Sequence, residues 1–170
     1  MPRIHVCPLS RLPQTASASG ARSLVSLIDV GTPVSRPAAI AAEKHLALNF
    51  SDITVETFGH TLPNESHVGN LLAFVWRWDQ NAPLLIHCFA GVSRSTAAAF
   101  VAACALVPHR DETEIAWAVR KNSPTATPNA RLVAIADKML ERKGRMMEAI
   151  ARIGRGAECS EALPFALNLR

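Results

Sequence analysis

The sequence predicts an α/β fold in which helices flank a small central sheet. Three observations point there. Short strand-like runs occupy the first fifty residues, helical periodicity fills the second half, and the apolar triplet Leu84-Leu85-Ile86 runs directly into a polar loop and an Ala-rich helix. Of the 170 residues 49% are hydrophobic but only 5% aromatic, with no Tyr, so an aliphatic core is expected, large enough for one domain rather than two. Disorder, collagen-like, repeat-array and disulfide-scaffold architectures do not fit this composition.

Taken in order, Ile4 to Leu9 and Ser23 to Val30 read as short strands. His45 to Phe50 alternates, with Leu46, Leu48 and Phe50 on one face. Between the last two, SRPAAIAAEK predicts a short helix, with Ser35 as N-cap and Pro37 in its first turn. Ser66 to Gln80 sets Val68, Leu71, Leu72, Val75 and Trp76 at helical spacing, and Pro83 lies just beyond its end. Trp76 and Trp78, two apart on that helix, cannot both face the core. The triplet after Pro83 reads as a buried central strand. Three helices follow: Asp111 with Glu114 forms a capping box for Asp111 to Lys121, Asn129 caps a helix reaching Gly144, and Arg145 to Ile153 makes a further one. Beyond Gly154 and Gly156 the leucines and Phe165 either pack back onto the body or form a loose tail.

Several function classes recede on composition. The longest apolar stretch, Thr96 to Val107, is too short for a bilayer, which needs about 20 residues. The first twenty residues lack the apolar run of a secretory signal, so a cytoplasmic location is expected. Cys7, Cys88, Cys104 and Cys159 are scattered, with no Cys-x-x-Cys pair, and His5, His45, His60, His67 and His109 show no ligand spacing; reduced thiols and no metal are expected. Net charge is +4, and 14 of the 18 basic residues are Arg, which favours bidentate anion contacts. The late basic residues Lys138, Arg142, Lys143, Arg145, Arg152 and Arg155 interleave with Asp137, Glu141 and Glu148, the pattern of a solvated helix face rather than of a nucleic-acid or membrane surface.

The segment with chemistry in it is Cys88-Phe89-Ala90-Gly91-Val92-Ser93-Arg94. A strand ends at Cys88, and the chain must then curl so that the backbone N–H groups of Phe89, Ala90, Gly91, Val92 and Ser93 converge before a helix begins near Ser93 or Arg94. Such a nest at a helix N-terminus binds anions. Gly91 permits the backbone conformation and the close approach. Arg94 can return over the mouth and hold two oxygens of a phosphate. The same positive field favours thiolate at Cys88, so nucleophile and substrate share one cradle. His87 supports the loop backbone, and Ser95, or Ser93, can donate to the thiolate when it leaves. Cys-x5-Arg spacing alone is weak: Cys104 and Arg110 repeat it, but CALVPHR has no Gly, contains Pro108, and starts inside a predicted helix.

HCFAGVSRS resembles the active-site loop of the cysteine-dependent protein tyrosine phosphatases, and its surroundings are similar to the compact dual-specificity branch. The segment VRKNSPTATPNARL resembles the stretch that follows the loop helix there, which assigns Pro128 and Asn129 and gives Asn129 the bracing of the loop. LNFSDIT resembles the segment that carries the general-acid Asp and so nominates Asp52, 36 residues before Cys88, with Glu56 and Asp79 as rivals. The resemblance covers residues 20–143. It implies a small, mostly parallel central sheet flanked by helices. Residues 1–143 are expected to form one phosphatase domain, with 144–170 as a helix and tail packed on it.

The activity implied is hydrolysis of protein phosphotyrosine, with or without phosphoserine and phosphothreonine, through a phosphocysteine intermediate. Cys88 is the nucleophile, Arg94 and the loop amides bind phosphate, Asp52 is the acid, and Ser95 assists the leaving thiolate. No cofactor or metal is called for. The expected partners are a phosphorylated protein or a small phosphate monoester, with inorganic phosphate, sulfate or vanadate as further occupants of the loop, and neither nucleic acid nor membrane. The alternatives are a phosphate-binding interaction module with little turnover, and a phosphatase of a non-protein ester such as a phosphoinositide, though the loop lacks a Lys. A hydrolase elbow at GVSRS lacks its final Gly. A rhodanese-like sulfurtransferase fits less well, given Arg94 and the upstream Asp.

Overall fold

Five consecutive buried residues, Leu84–Cys88, form the middle strand of the molecule. The computed structural model describes all 170 residues, Met1–Arg170. Its strands are β1 (Arg3–Pro8), β2 (Ser23–Ile28), β3 (His45–Asn49), β4 (Leu84–Cys88) and β5 (Phe165–Asn168), and they form one sheet in the order β3-β2-β4-β1-β5. The first four run parallel, and β5 pairs antiparallel with β1. The helices are α1 (Leu12–Ser19), α2 (Glu65–Arg77), α3 (Arg94–Leu106), α4 (Glu112–Asn122), α5 (Ala130–Met139) and α6 (Arg145–Ile153). No helix is long and apolar enough to cross a membrane.

Strand alternation divides the core in two. Ile4 and Val6 of β1, Val25 and Leu27 of β2, and Leu84, Ile86 and Cys88 of β4 join the larger cluster with residues of α2 to α6. Cys7, Leu24 and Leu85 face the other way and meet α1 and Ile40. The same alternation sets Cys88 on the helical face and His87 on the opposite one. Helix α3 is buried from Arg94 through Cys104, and its run of Ala lets the sheet and its neighbouring helices approach it from all sides. Cys104, the second residue in the chain with Cys-x5-Arg spacing, lies inside this helix, where burial pushes its thiol up to about 12.

The elements depart from expectation in four places. Residues 35–44 contain no α-helix: Ile40 is the one residue drawn into the core, a turn closes on Pro37, and only Ala42–Lys44 form a 3-10 turn. A segment that buries a single side chain has no apolar stripe with which to stabilise a helix. Helix α2 starts one residue early, capped reciprocally by Asn64 and His67, and it ends before Trp78, whose indole is buried and donates to Ala82 O at 3.0 Å. Trp76 stays on the helix and is exposed. Helix α5 stops at Met139 rather than Gly144, because Glu141, Lys143 and Gly144 turn left-handed and Asp137 then accepts the N–H groups of Gly144 and Met146 at 2.7 and 2.8 Å, capping α6. Asp111 caps α4 as predicted, but Glu114 reaches Arg110 instead of closing the box.

Arg142 is likewise not part of a solvated face. Its guanidinium donates to Glu112 Oε1 at 2.9 Å and to Cys104 O at 2.8 Å, joining the ends of α3, α4 and α5, and both charged side chains are under 10% exposed. Burial opposes the Glu112 charge, but hydrogen bonds from Arg142 and Arg145 outweigh it and hold the carboxyl below its ordinary range. Arg142→Ala leaves Glu112 with the half-exposed Arg145 alone and Cys104 O without this donor, and is expected to lower the unfolding free energy by about 2–3 kcal/mol, measured by urea denaturation. A loss below about 1 kcal/mol would mean that water solvates Glu112 in the folded protein.

Candidate active site

All four parallel strands end at the same place, the loop from Cys88 to Arg94. At the end of β1, Leu9 N–H donates to Phe89 O at 3.1 Å. Asp29 follows β2 and accepts from Arg94. Phe50 follows β3, and its carbonyl accepts from Arg94 Nη1 at 2.8 Å. The loop itself continues β4. Crevices at the carboxyl ends of parallel strands are where α/β folds bind ligands.

Gly91 shapes the loop. Its φ is +73°, and a Cβ there would lie 2.9 Å from Pro8 N. No other residue fits without moving β1. The loop carbonyls are drawn away to flanking segments: Ala90 O accepts from Ala162 N, Val92 O from Thr127 N, and Ser93 O from Ala97 N and Asn129 N. The amides of Ala90, Val92 and Ser93 find no acceptor elsewhere in the chain, and that of Gly91 donates to Cys88 Sγ at 3.2 Å. Ser95 Oγ sits 3.0 Å from the same sulfur. Sulfur, amides and helix N-terminus therefore form one cup.

Arg94 is 5% exposed. Nη1 is fully used by Asp29 and Phe50 O, whereas Nε is buried without an acceptor. A buried cationic donor left free is costly unless something accepts from it, and an oxyanion in the loop would do so. Asp52 stands at the mouth, its Oδ1 accepting from Ser93 Oγ at 2.7 Å and from Asn129 Nδ2 at 2.9 Å. Oδ2 carries no such bond. Ser51 and Thr61 pair across the base of the following loop, which fixes where Asp52 leaves β3.

No protein-family model matches the chain, and no curated protein matches it by sequence. Solved structures do. Human DUSP28 superposes with a TM-score of 0.62 at 17% identity, covering 82% of this chain and 92% of that one. DUSP15 gives 0.64 at 15%, over 88% and 89%. The human tyrosine phosphatase-like serine/threonine/tyrosine-interacting protein gives 0.59 at 16%, over 82% and 92%. The fold is that of the dual-specificity phosphatases. The expected central, mostly parallel sheet flanked by helices is what this dual-specificity phosphatase fold contains, with β5 as its one antiparallel edge.

Within that fold the residues picked out by sequence meet at the loop. Cys88, Arg94, Ser95 and Asp52 lie around it in the contacts given above. Asn129 does more than brace: it caps α5 through Leu132 N, holds Ser93 O with its backbone, and holds Asp52 and Ile53 O with its side chain. Phe89 turns outward and is 63% exposed. Neither rival acid forms a hydrogen bond or ion pair with the loop. Glu56 is exposed on the loop after Asp52, and Asp79 pairs with Lys44 at 3.1 Å on the surface.

His87 supports the loop from the far face of the sheet. Its Nδ1 meets Cys88 O at 3.2 Å and its Nε2 meets Ser26 Oγ at 2.7 Å, while Ser26 Oγ meets His45 Nε2 at 2.8 Å. A carbonyl can only accept, so Nδ1 carries the proton, Ser26 donates to Nε2, and His45 Nε2–H donates to Ser26. Burial pushes His87 down to about 4, which keeps the ring neutral near pH 6 and this polarity in force.

Asp29, Ser26 and His45 are the members that sequence reasoning missed. A faint signal exists for two of them. Ser26 is a polar residue inside the wholly buried strand SLVSLI, and Asp29 is the first charge after that strand's carboxyl end. His45, whose position shows no ligand spacing, gave none.

Proposed function

We propose that the protein is a cysteine-dependent phosphatase that hydrolyses phosphotyrosine in proteins, with or without phosphoserine and phosphothreonine, through a phosphocysteine intermediate. One observation carries the reading: Cys88 Sγ lies under Gly91 N–H and Ser95 Oγ, in a loop whose Arg94 Nε is buried and unpartnered. Gly91 N–H and the free loop amides, with Arg94 Nε, form an oxyanion site directly above the sulfur.

In the first step Cys88 thiolate attacks phosphorus, forming S–P as the P–O bond to the leaving group breaks. Loop amides and the free edge of Arg94 hold the other phosphate oxygens. Asp52, with Oδ1 tied to Ser93 and Asn129, carries its proton on Oδ2 and gives it to the leaving oxygen. In the second step Asp52 carboxylate takes a proton from water, the water oxygen bonds to phosphorus, and S–P breaks. Ser95 Oγ–H then donates to the departing thiolate. Arg94 and the amides supply the positive charge throughout, so no step calls on a metal or cofactor. The alternative of a binding module with little turnover would suit a chain without Cys88 or Arg94; both stand here.

The test is release of p-nitrophenol from p-nitrophenyl phosphate near pH 6. Hydrolysis that withstands EDTA and is blocked by vanadate is expected; a folded, reduced protein that releases nothing would be the binding module instead. Asp52→Asn separates the acid from its rivals. Phenyl phosphate, with its poor leaving group, should lose about 10²–10³ in kcat/KM, and p-nitrophenyl phosphate much less. Equal losses on both esters would remove Asp52 from the role of acid.

A further inference from the structure

Beside the loop lies a cavity of about 860 Å³ that neither the loop nor the acid accounts for. Asp52, Ser93, Val92 and Pro128 line it together with Met147 and Ile150 of α6. The α6 part of this lining belongs to the last 27 residues, which the sequence resemblance does not cover. It is held firmly: Arg120 donates to Ile153 O, Ala126 O and Gly154 O at 2.6–2.8 Å, Gly156 N–H donates to Thr127 Oγ1 at 3.0 Å, and Ala162 N–H reaches Ala90 O of the loop at 2.9 Å. Gly156 packs so closely on Thr125 that a Cβ would lie 2.5 Å from its carbonyl carbon. The C-terminal segment is thus a built part of the loop's rim.

We infer that this cavity is the leaving-group subsite, and that it takes a phosphorylated phenol carrying a second apolar group; the inference rests on the phosphatase reading above. In-line attack by Cys88 expels the leaving oxygen on the side away from sulfur, where the acid must stand, and Asp52 opens into this cavity. Met147 and Ile150 are half-buried against the core and present their remaining surface to it. At the rim Arg155 pairs with Glu158 at 3.5 Å, so these two charges offset each other, which leaves Asp52 as the one other charged residue of a lining otherwise made of apolar and neutral polar groups. The volume is within the range of small-molecule sites and exceeds what one phenyl ring fills. In a protein substrate the occupant is phosphotyrosine together with a neighbouring apolar side chain.

The experiment compares kcat/KM for biphenyl-4-yl phosphate and phenyl phosphate, whose phenols are of similar acidity, so that the ratio reports the distal ring. The wild-type protein is expected to favour the biphenyl ester about tenfold. Ala151→Trp, which fills the cavity from the exposed side of α6, should bring the ratio near one, and Ile150→Ala should lower it several-fold. The second variant guards against misfolding of the first. A wild-type ratio near one, or a ratio unmoved by both variants, overturns the subsite while leaving the phosphatase reading intact. If wild type hydrolyses neither ester, the phosphatase reading fails and the subsite with it.

Discussion

Cys88→Ser is expected to lower phosphate release from p-nitrophenyl phosphate by at least about 10⁴-fold, below detection in a steady-state assay, without loss of fold. A serine hydroxyl at this position keeps the same neighbours, Gly91 N–H and Ser95 Oγ, but is a far weaker nucleophile than sulfur unless a base takes its proton. No base lies within reach to take the hydroxyl proton: His87 points to the other face of the sheet and is engaged by Ser26 and Cys88 O. The exchange is small, nearly isosteric and in a loop whose shape Gly91 and the outward carbonyl bonds maintain. Vanadate binding, followed by thermal stabilisation, should therefore survive. A variant that retains more than a few per cent of activity would move the nucleophile elsewhere. Cys7 and Cys104 are not candidates, since burial pushes both thiols up to about 12.

Arg94→Ala is expected to cost about 10³-fold or more in kcat/KM and to abolish vanadate stabilisation as well, which distinguishes it from Cys88→Ser. The side chain does two things at once. Nη1 ties together the ends of β2 and β3 through Asp29 and Phe50 O, and Nε remains for substrate. Arg94→Lys tests the geometry: it keeps the charge but has no second, parallel donor, so it should recover little of the lost activity. Full rescue by Lys would mean that charge alone, and not the oriented guanidinium, holds the phosphate. Because Asp29 is half exposed, its loss of a partner should cost less stability than the buried Arg142→Ala change.

The loop from Cys88 to Arg94 was legible in the sequence because everything that shapes it is local. A buried strand ends, a glycine takes a left-handed turn, and a helix N-terminus begins, all within nine residues from His87 to Ser95. Strands β1 to β4, the caps Asp111 and Asn129, and helix α6 were legible for the same reason: each is set by side chains within a turn or two of its own backbone. Residues 35–44 misled because local propensity favoured a helix there, while burial of Ile40 alone could not sustain one. Arg142 misled in the opposite sense. Interleaved charges read as solvated until folding brought Glu112, 30 positions away, against it.

What folding alone decided is the company that the loop keeps. Asp29 meets Arg94 across 65 positions, Ser26 meets His87 across 61, and Asn129 reaches Asp52 across 77. None of these pairings has a period or spacing to read, because each depends on which strand lies beside which. The order β3-β2-β4-β1 sets the ends of four strands together, and that is what gathers Asp52, the latch on Arg94 and the support of His87 around one thiol. The tail is the clearest instance. Its leucines and Phe165 fit a packed or a loose segment equally well in sequence, and the choice fell to β1, whose open edge offered unpaired backbone groups for β5 to satisfy.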